Sequence, residues 1–152
     1  MSVEYRKGDL FEFGADWLTV PVNMKGVMGA GLAKQFKLKF PGLEYRYRDC
    51  CKHKVLELGK PFTLFHDHGP GFVLFATKDD WRNPSELSWI DEGLAYLART
   101  ITVLEFRSIA IPPLGCGLGG LKWNEVRPLI EQHLGELEAR ILVYEPGRRP
   151  GR

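Results

Sequence analysis

The chain has 152 residues, of which 44% are hydrophobic and 26% are charged, and its formal net charge is +2 at pH 7. This length favours a single domain with one core, and the composition is that of an ordinary globular protein. No apolar run approaches the roughly 20 residues that span a bilayer, and the first seven residues lack the apolar segment of a signal peptide. We therefore expect a cytoplasmic protein with no membrane partner.

Strands and helices alternate along the chain. Short apolar runs predict strands, and apolar residues at helical spacing predict helices. In chain order we predict a strand at Trp17–Val22, helices at Leu32–Phe40 and Leu43–Lys52, strands at Thr63–Asp67 and Phe72–Ala76, a helix at Leu87–Ile101, a strand at Ser108–Ile111, a helix at Val126–Leu137 and a strand at Ala139–Tyr144. Ser85 is a candidate N-cap for the third helix. This alternation is typical of α/β proteins with a largely parallel central sheet.

We predict one domain over residues 1–145. Residues 146–152 read Pro-Gly-Arg-Arg-Pro-Gly-Arg and cannot join a packed element. They predict a flexible basic tail, or the start of a linker to a further domain.

The three cysteines are Cys50, Cys51 and Cys116. An odd number with two adjacent members is a poor disulfide framework, and the spacing resembles no zinc site. His66 and His68 share a face of a predicted strand, but no third metal ligand is in view. We therefore expect free thiols and no metal ion.

Two glycine-rich loops each join a strand to a helix, at Gly26–Gly31 and at Pro112–Gly120. Glycine allows positive φ angles and close approach of a ligand, and successive N–H groups beside a helix N-terminus attract anions. Neither loop has the Gly-Lys-Ser/Thr of a Walker A motif or the full dinucleotide fingerprint. Two such loops at strand ends predict a site that grips a diphosphate from both sides.

The glycine loops belong to a longer pattern that resembles the macrodomain family, whose members bind ADP-ribose. The pattern consists of Gly8-Asp9-Leu10, then Asn23, then Gly29-Ala30-Gly31, then Pro113–Gly120. The resemblance runs over the chain to about Tyr144. It implies a three-layer α/β/α fold with a central mixed, largely parallel sheet.

Two further stretches, Thr77–Ser85 and Pro112–Trp123, are similar to the DarG branch of that family. Members of this branch are antitoxins that reverse DNA ADP-ribosylation by a DarT toxin. The resemblance implies an enzyme that removes ADP-ribose from ADP-ribosylated thymidine in single-stranded DNA. The implied partners are ADP-ribose, that DNA, and a DarT-type toxin contacted through a further domain. No cofactor is implied, since ADP-ribose is ligand and product.

The resemblance also implies roles for individual residues. Asp9 would accept a hydrogen bond from the adenine amino group, beside the Leu10 backbone, and Asn23 would lie near the distal ribose. Thr77 would adjoin the ligand, and Cys116 would be packing rather than a nucleophile. Backbone groups of the two loops would hold the diphosphate and distal ribose, through Met28, Gly29, Ala30, Gly31 and Leu32 in the first and Pro113, Leu114, Gly115, Cys116, Gly117, Leu118 and Gly119 in the second.

Lys78 is the predicted catalytic residue. It follows the strand at Phe72–Ala76, so its amine can reach the end of the sheet where the ligand would lie. Two roles stay open. A neutral amine could attack the anomeric carbon after ring opening, or a charged amine could stabilise the leaving group and orient water.

The second loop also bears on the substrate. The related terminal ADP-ribose protein glycohydrolase, which acts on modified acidic side chains, carries an aspartate there, whereas this chain has Gly119 and Gly120. The glycines favour the DNA substrate but leave the general acid or base unassigned. Two alternatives remain, namely a hydrolase of ADP-ribosylated acidic side chains or O-acetyl-ADP-ribose, and a non-catalytic reader of ADP-ribose.

Charge is divided unevenly along the chain. Residues 1–60 contain 11 Lys and Arg against 7 Asp and Glu, and residues 61–147 contain 7 against 12. Lys25, Lys34 and Lys37 flank the predicted mouth of the site and are candidates for tracking a DNA backbone. Trp81 and Arg82 are candidates for stacking on bases.

Overall fold

The computed structural model describes residues 3–147. Its six strands are β1 (Val3–Arg6), β2 (Trp17–Asn23), β3 (Phe62–Leu64), β4 (Gly71–Lys78), β5 (Ser108–Ile111) and β6 (Arg140–Tyr144). They form one sheet in the order β1-β6-β5-β2-β4-β3. The edge strand β3 runs antiparallel to β4, and the other pairs are parallel. The predicted mixed, largely parallel sheet is confirmed.

Within residues 3–147, four helices cover the two faces of this sheet, α1 (Gly31–Lys39), α2 (Leu43–Lys52), α3 (Leu87–Val103) and α4 (Trp123–Leu134). Successive residues of a strand point to opposite faces. Along β4, Phe72 and Leu74 therefore pack into the core beneath α1 and α2, whereas Val73 and Phe75 pack into the core beneath α3 and α4. Two cores on either side of one sheet make the three-layer α/β/α fold, as expected. None of the helices among residues 3–147 is long and apolar enough to cross a membrane.

The structure corrects the sequence analysis at four elements. The helix predicted at Val126–Leu137 instead begins at Trp123 and ends at Leu134. The edge strand β1 was not predicted, because four half-buried residues show no periodicity. The strand predicted at Thr63–Asp67 instead ends at Leu64, and Phe65 is 63% exposed. Ser85 does not cap α3, whose N-cap is Glu86 without a side-chain hydrogen bond. Ser85 is instead buried, and its N–H donates to the carbonyl of Gly119.

The ends of the predicted domain, residues 1–145, stay a prediction. In the predicted tail, Pro146 and Gly147 form neither helix nor strand, and residues 148–152 lie outside the described residues.

The sheet opens between β2 and β5. These strands pair only at Trp17 with Ile109 and at Leu18 with Ala110, although β2 continues to Asn23 and pairs with β4 along its length. The chain leaves β2 towards α1 on one face, and it leaves β5 towards α4 on the other face. A crevice beyond the carboxyl ends of two strands whose connections diverge is where α/β sheets bind ligands.

Candidate functional site

A groove of about 700 Å³ lies in this crevice. Its walls come from the end of β2, the first glycine loop, the end of β4 and the second glycine loop. The groove brings together most of the predicted site residues, namely Asn23, Gly29, Ala30, Gly31, Leu32, Thr77, Lys78, Trp81, Pro113, Gly115, Gly117, Leu118 and Gly119. The sequence analysis missed five lining residues, Pro21, Val22, Val27, Ala33 and Pro112. Nothing in the sequence marks these five residues except that they lie next to the predicted strand ends and glycine loops.

The first glycine loop is folded around the side chain of Asn23, which is 7% exposed. Its Nδ2 donates to the carbonyl of Val27 at 2.9 Å, and its Oδ1 accepts from the N–H of Lys25 at 2.9 Å. The hydroxyl of Tyr47 donates to Asn23, with distances of 2.6 Å to the carbonyl and 2.7 Å to Oδ1. The same hydroxyl accepts from the N–H of Gly26 at 3.1 Å. Asn23 therefore shapes the loop, and its contact with a ribose stays a prediction.

Tyr47 is a residue of the site that the sequence analysis missed. It lies on the buried side of α2, 24 residues from Asn23 in the chain, and it is fully buried. Burial raises the pKa of its hydroxyl, which therefore stays protonated and able to donate at neutral pH. The available signal was a tyrosine on an apolar helix face, because a buried phenol usually needs a hydrogen-bond partner.

We expect Tyr47→Phe to loosen the first glycine loop. The change removes the hydroxyl that bonds Asn23 and the N–H of Gly26, and an unsatisfied buried polar group costs about 1–3 kcal/mol. Urea unfolding should show that the free energy of unfolding falls by about that amount. The backbone amide of Gly26 should also exchange its hydrogen for deuterium faster. Tyr45→Phe is the matched control, because Tyr45 lies on the same helix but is 80% exposed. Equal stability and exchange in both variants would show that the hydroxyl does not hold the loop.

The second glycine loop has no room for a side chain at position 119. A Cβ at Gly119 would lie 2.3 Å from Oγ of Ser85 and 2.5 Å from the carbonyl oxygen of Gly115. Gly115 itself has a φ of 75°, which favours glycine. With this backbone the loop cannot present a carboxylate from position 119.

The Cys116 thiol is not positioned to act as a nucleophile. Burial raises its pKa to about 11, so the thiol is protonated at neutral pH. Its Sγ lies 3.6 Å from the carbonyl oxygen of Leu114 and does not line the groove. Cys50, Cys51 and Cys116 are all free. Among residues 3–147, no group of three or more His, Cys, Asp or Glu is placed to hold a metal ion.

A register shift sets the position of Lys78. Val22 of β2 pairs with Ala76 of β4, but the next residue, Asn23, pairs with Lys78, so that Thr77 is an extra residue in β4. Irregularities of this kind change the direction of side chains and are frequent beside functional sites. Here the shift places Lys78 directly beside Asn23 at the end of the sheet.

Lys78 is the only titratable side chain that lines the groove in the described part of the chain. Its Nζ donates to the carbonyl of Trp81 at 3.2 Å. The other lining residues are apolar, or are glycine, threonine or asparagine. Any charged group that acts directly in the groove among these residues is therefore the Lys78 amine.

Several residues predicted for the ligand do not line the groove. Asp9 is exposed, and its Oδ1 accepts from the N–H of Phe11 at 2.9 Å. Three others have side chains buried in the cores and can offer only backbone groups, as the resemblance implied: Leu10, Met28 and Leu114. Their contacts with a ligand stay predictions.

One of the residues predicted to contact DNA lines the groove, and the others lie outside it. Trp81 lines the groove, whereas Lys25, Lys34 and Lys37 are exposed outside it. Nζ of Lys37 lies 3.3 Å from a carboxylate oxygen of Glu44, which offsets its charge. The remaining residue, Arg82, is paired with Asp80 and also lies outside the groove.

Comparison with known proteins gives one consistent result. The family model described as Macro domain matches residues 20–130. The chain is 38% identical to a DNA ADP-ribosyl transferase-DNA ADP-ribosyl glycohydrolase fusion protein of Thermosipho africanus, over 92% of this chain and 41% of that protein. It is 40% identical to a DNA ADP-ribosyl glycohydrolase of Thermus aquaticus, over 97% of this chain and 42% of that protein.

A solved structure agrees with these matches. Thermosipho africanus DarTG in complex with ADP-ribose matches with a TM-score of 0.92 at 38% identity, and the match covers 98% of this chain and 43% of that chain. The chain spans less than half the length of all three of these proteins.

Proposed function

The chain belongs to the macrodomain family, and on that premise we propose that it binds ADP-ribose in the groove and removes it from ADP-ribosylated thymidine in single-stranded DNA. Two relatives at 38% and 40% identity are named for DNA ADP-ribosyl glycohydrolase activity, and a similar solved structure holds ADP-ribose. One observation carries the proposal: two glycine loops face a groove in which Lys78 is the only titratable lining residue among residues 3–147.

The groove suits a diphosphate. Gly29, Ala30 and Gly31 lead directly into the N-terminus of α1, where backbone N–H groups and the helix dipole favour an anion. Gly115, Gly117 and Gly119 form the opposite wall. Backbone N–H groups can therefore approach the two phosphates from both sides without a cationic side chain between them.

Lys78 marks the reactive end of the groove. Hydrolysis breaks the bond between the anomeric carbon of the distal ribose and the thymine nitrogen, joins a water oxygen to that carbon and returns a proton to the base. A charged Lys78 would stabilise negative charge on the departing base and orient the water. A neutral Lys78 would attack the anomeric carbon of the opened ribose, the base would leave with the proton that the amine releases, and water would hydrolyse the resulting Schiff base to ADP-ribose and the free amine. Both routes require Nζ next to the same bond.

We propose that the DNA strand approaches over the basic surface near the groove. Lys25 and Lys34 are exposed and are candidates for phosphate contacts, which would make DNA affinity fall with rising salt. A DarT-type transferase is the proposed functional partner, because one relative is a fusion that contains a DNA ADP-ribosyl transferase. The transferase would make the modified DNA that this chain repairs.

The test is a comparison of substrates for the wild-type chain. We expect release of ADP-ribose from an ADP-ribosylated single-stranded oligonucleotide, and binding of free ADP-ribose in a calorimeter. The comparison substrates are a protein ADP-ribosylated on acidic side chains and O-acetyl-ADP-ribose. Release of ADP-ribose from either of these substrates and not from DNA would show that the proposed DNA substrate is wrong. Binding without release from any substrate would leave a reader of ADP-ribose, and no binding would remove the proposal entirely.

A further inference from the structure

Trp81 places a large exposed aromatic surface in the same groove as Lys78. The residue lines the groove and is 52% exposed. Its carbonyl accepts the hydrogen bond from Nζ of Lys78 at 3.2 Å. Trp81 and the Lys78 amine therefore lie in the same part of the groove.

The backbone around Trp81 is fixed on both sides. Asp80 is only 9% exposed, and its Oδ1 accepts from the N–H of Arg82 at 2.9 Å and from Nε of Arg82 at 3.0 Å. Its Oδ2 accepts from Nη2 of Arg82 at 2.8 Å, and its carbonyl accepts from the N–H of Asn83 at 3.0 Å. The carbonyl of Asp79 accepts from the N–H of Met24 at 3.2 Å. The exposed indole is thus held on an ordered turn.

The ion pair in this turn does not titrate near neutral pH. The guanidinium of Arg82 donates to the carboxylate of Asp80 and holds the pKa of that carboxyl well below its usual range. The charges of this pair therefore stay the same across the pH range near neutrality.

Arg82 also contacts the indole. Its guanidinium carbon lies 5.4 Å from the centre of the Trp81 ring, within the range of a cation–π contact. The contact leaves about half of the tryptophan surface open. Proteins that bind single strands stack successive bases on exposed aromatic rings of this kind.

We propose that Trp81 is a stacking platform for a nucleobase of the substrate strand, and that Arg82, itself held by Asp80, orients the platform. The proposal rests on the function proposed above and gives a reason for its preference for DNA. An acidic side chain has no flat aromatic face and would gain nothing from the indole. Trp81 would then determine the substrate class, while Lys78 acts on the bond.

The experiment compares Trp81→Ala, Trp81→Phe and wild type on an ADP-ribosylated single-stranded oligonucleotide. Base stacking contributes on the order of 10- to 100-fold in affinity per base, so we expect Trp81→Ala to raise KM by about that factor with a much smaller change in kcat. Trp81→Phe keeps a ring and should recover most of the loss. Affinity for free ADP-ribose should fall far less than KM for the oligonucleotide rises in both variants, because the platform is proposed for a base of the strand. Tyr45→Ala is the control, because it removes an exposed aromatic side chain outside the groove.

Each other outcome has a defined meaning. A wild-type KM in Trp81→Ala would overturn the platform while leaving the proposed hydrolysis in place. A parallel loss of affinity for free ADP-ribose would assign Trp81 to the ADP-ribose site and would also overturn it. If the wild type releases nothing from DNA, the proposed function fails, and the platform is then judged by fluorescence anisotropy of an unmodified labelled oligonucleotide in the presence of ADP-ribose. Equal oligonucleotide affinities of wild type and Trp81→Ala would overturn the platform there.

Discussion

Lys78→Ala should abolish release of ADP-ribose from DNA and leave binding of free ADP-ribose nearly unchanged. Lys78 is the only titratable residue lining the groove among residues 3–147, so no neighbouring group there can replace its amine. A single group of this kind contributes on the order of 10²- to 10⁴-fold to a rate. The diphosphate is expected to be held by the backbone of the glycine loops, which the substitution does not touch.

Single-turnover release and calorimetry, run on the same preparations, measure the two quantities separately. Lys78→Arg distinguishes the two routes, because it keeps a positive charge but cannot form a Schiff base. Substantial activity in Lys78→Arg favours the electrostatic role, and trapping of ADP-ribose on the wild type by borohydride favours the covalent one. Lys52→Ala, an exposed lysine of α2 outside the groove, is the control. Full activity in Lys78→Ala would remove Lys78 from the mechanism.

Gly119→Asp should destabilise the second glycine loop rather than add a catalytic carboxylate. Its Cβ would lie 2.3 Å from Oγ of Ser85 and 2.5 Å from the carbonyl oxygen of Gly115, so the loop or Ser85 must move. Overpacking costs about 1–3 kcal/mol, and a carboxylate forced against a backbone carbonyl adds to that cost. We expect a lower free energy of unfolding and much weaker binding of ADP-ribose.

Urea unfolding of Gly119→Ala and Gly119→Asp beside Gly117→Ala tests this expectation. A Cβ at Gly117 would meet no atom within 4 Å, so its substitution controls for the loss of a flexible glycine in the same loop. Gly119→Asp could instead be as stable as wild type and release ADP-ribose from ADP-ribosylated acidic side chains. That result would show that the backbone of the second glycine loop does not prevent a carboxylate at position 119 from acting.

The buried strands were the easiest part of the fold to predict. Strands β2, β4 and β5 are apolar runs buried on both faces, and the interior of a parallel sheet requires such runs. The edge strands were harder, since β1 and β3 are stabilised by pairing with β6 and β4 rather than by their own pattern. Ser85 is a residue type that often caps helices. In the structure its N–H instead donates to the carbonyl of Gly119 in the second glycine loop, 34 residues further along the chain.

The sequence predicted which loops form the groove, but it did not predict which residues contact one another there. The glycine spacing and the family resemblance identified both walls and Lys78. The register shift that sets Lys78 beside Asn23 depends on how two strands pair, and no local pattern encodes it. The hydroxyl of Tyr47 reaches Asn23 only after α2 packs on the sheet, so the sequence could show a buried tyrosine but not its partner.

The short pairing between β2 and β5 has a consequence for the stability of the protein. The strands β1, β6 and β5 are joined to the strands β2, β4 and β3 by two residue pairs, at the end of the sheet opposite the groove. At the groove end, a bound molecule is the natural bridge between these two halves. Any ligand that binds only the folded state adds to the free energy of unfolding, by about 2.7 kcal/mol at a hundred times its Kd. On the proposed function, free ADP-ribose is such a ligand, and the product of each turnover would protect the protein that released it against thermal unfolding.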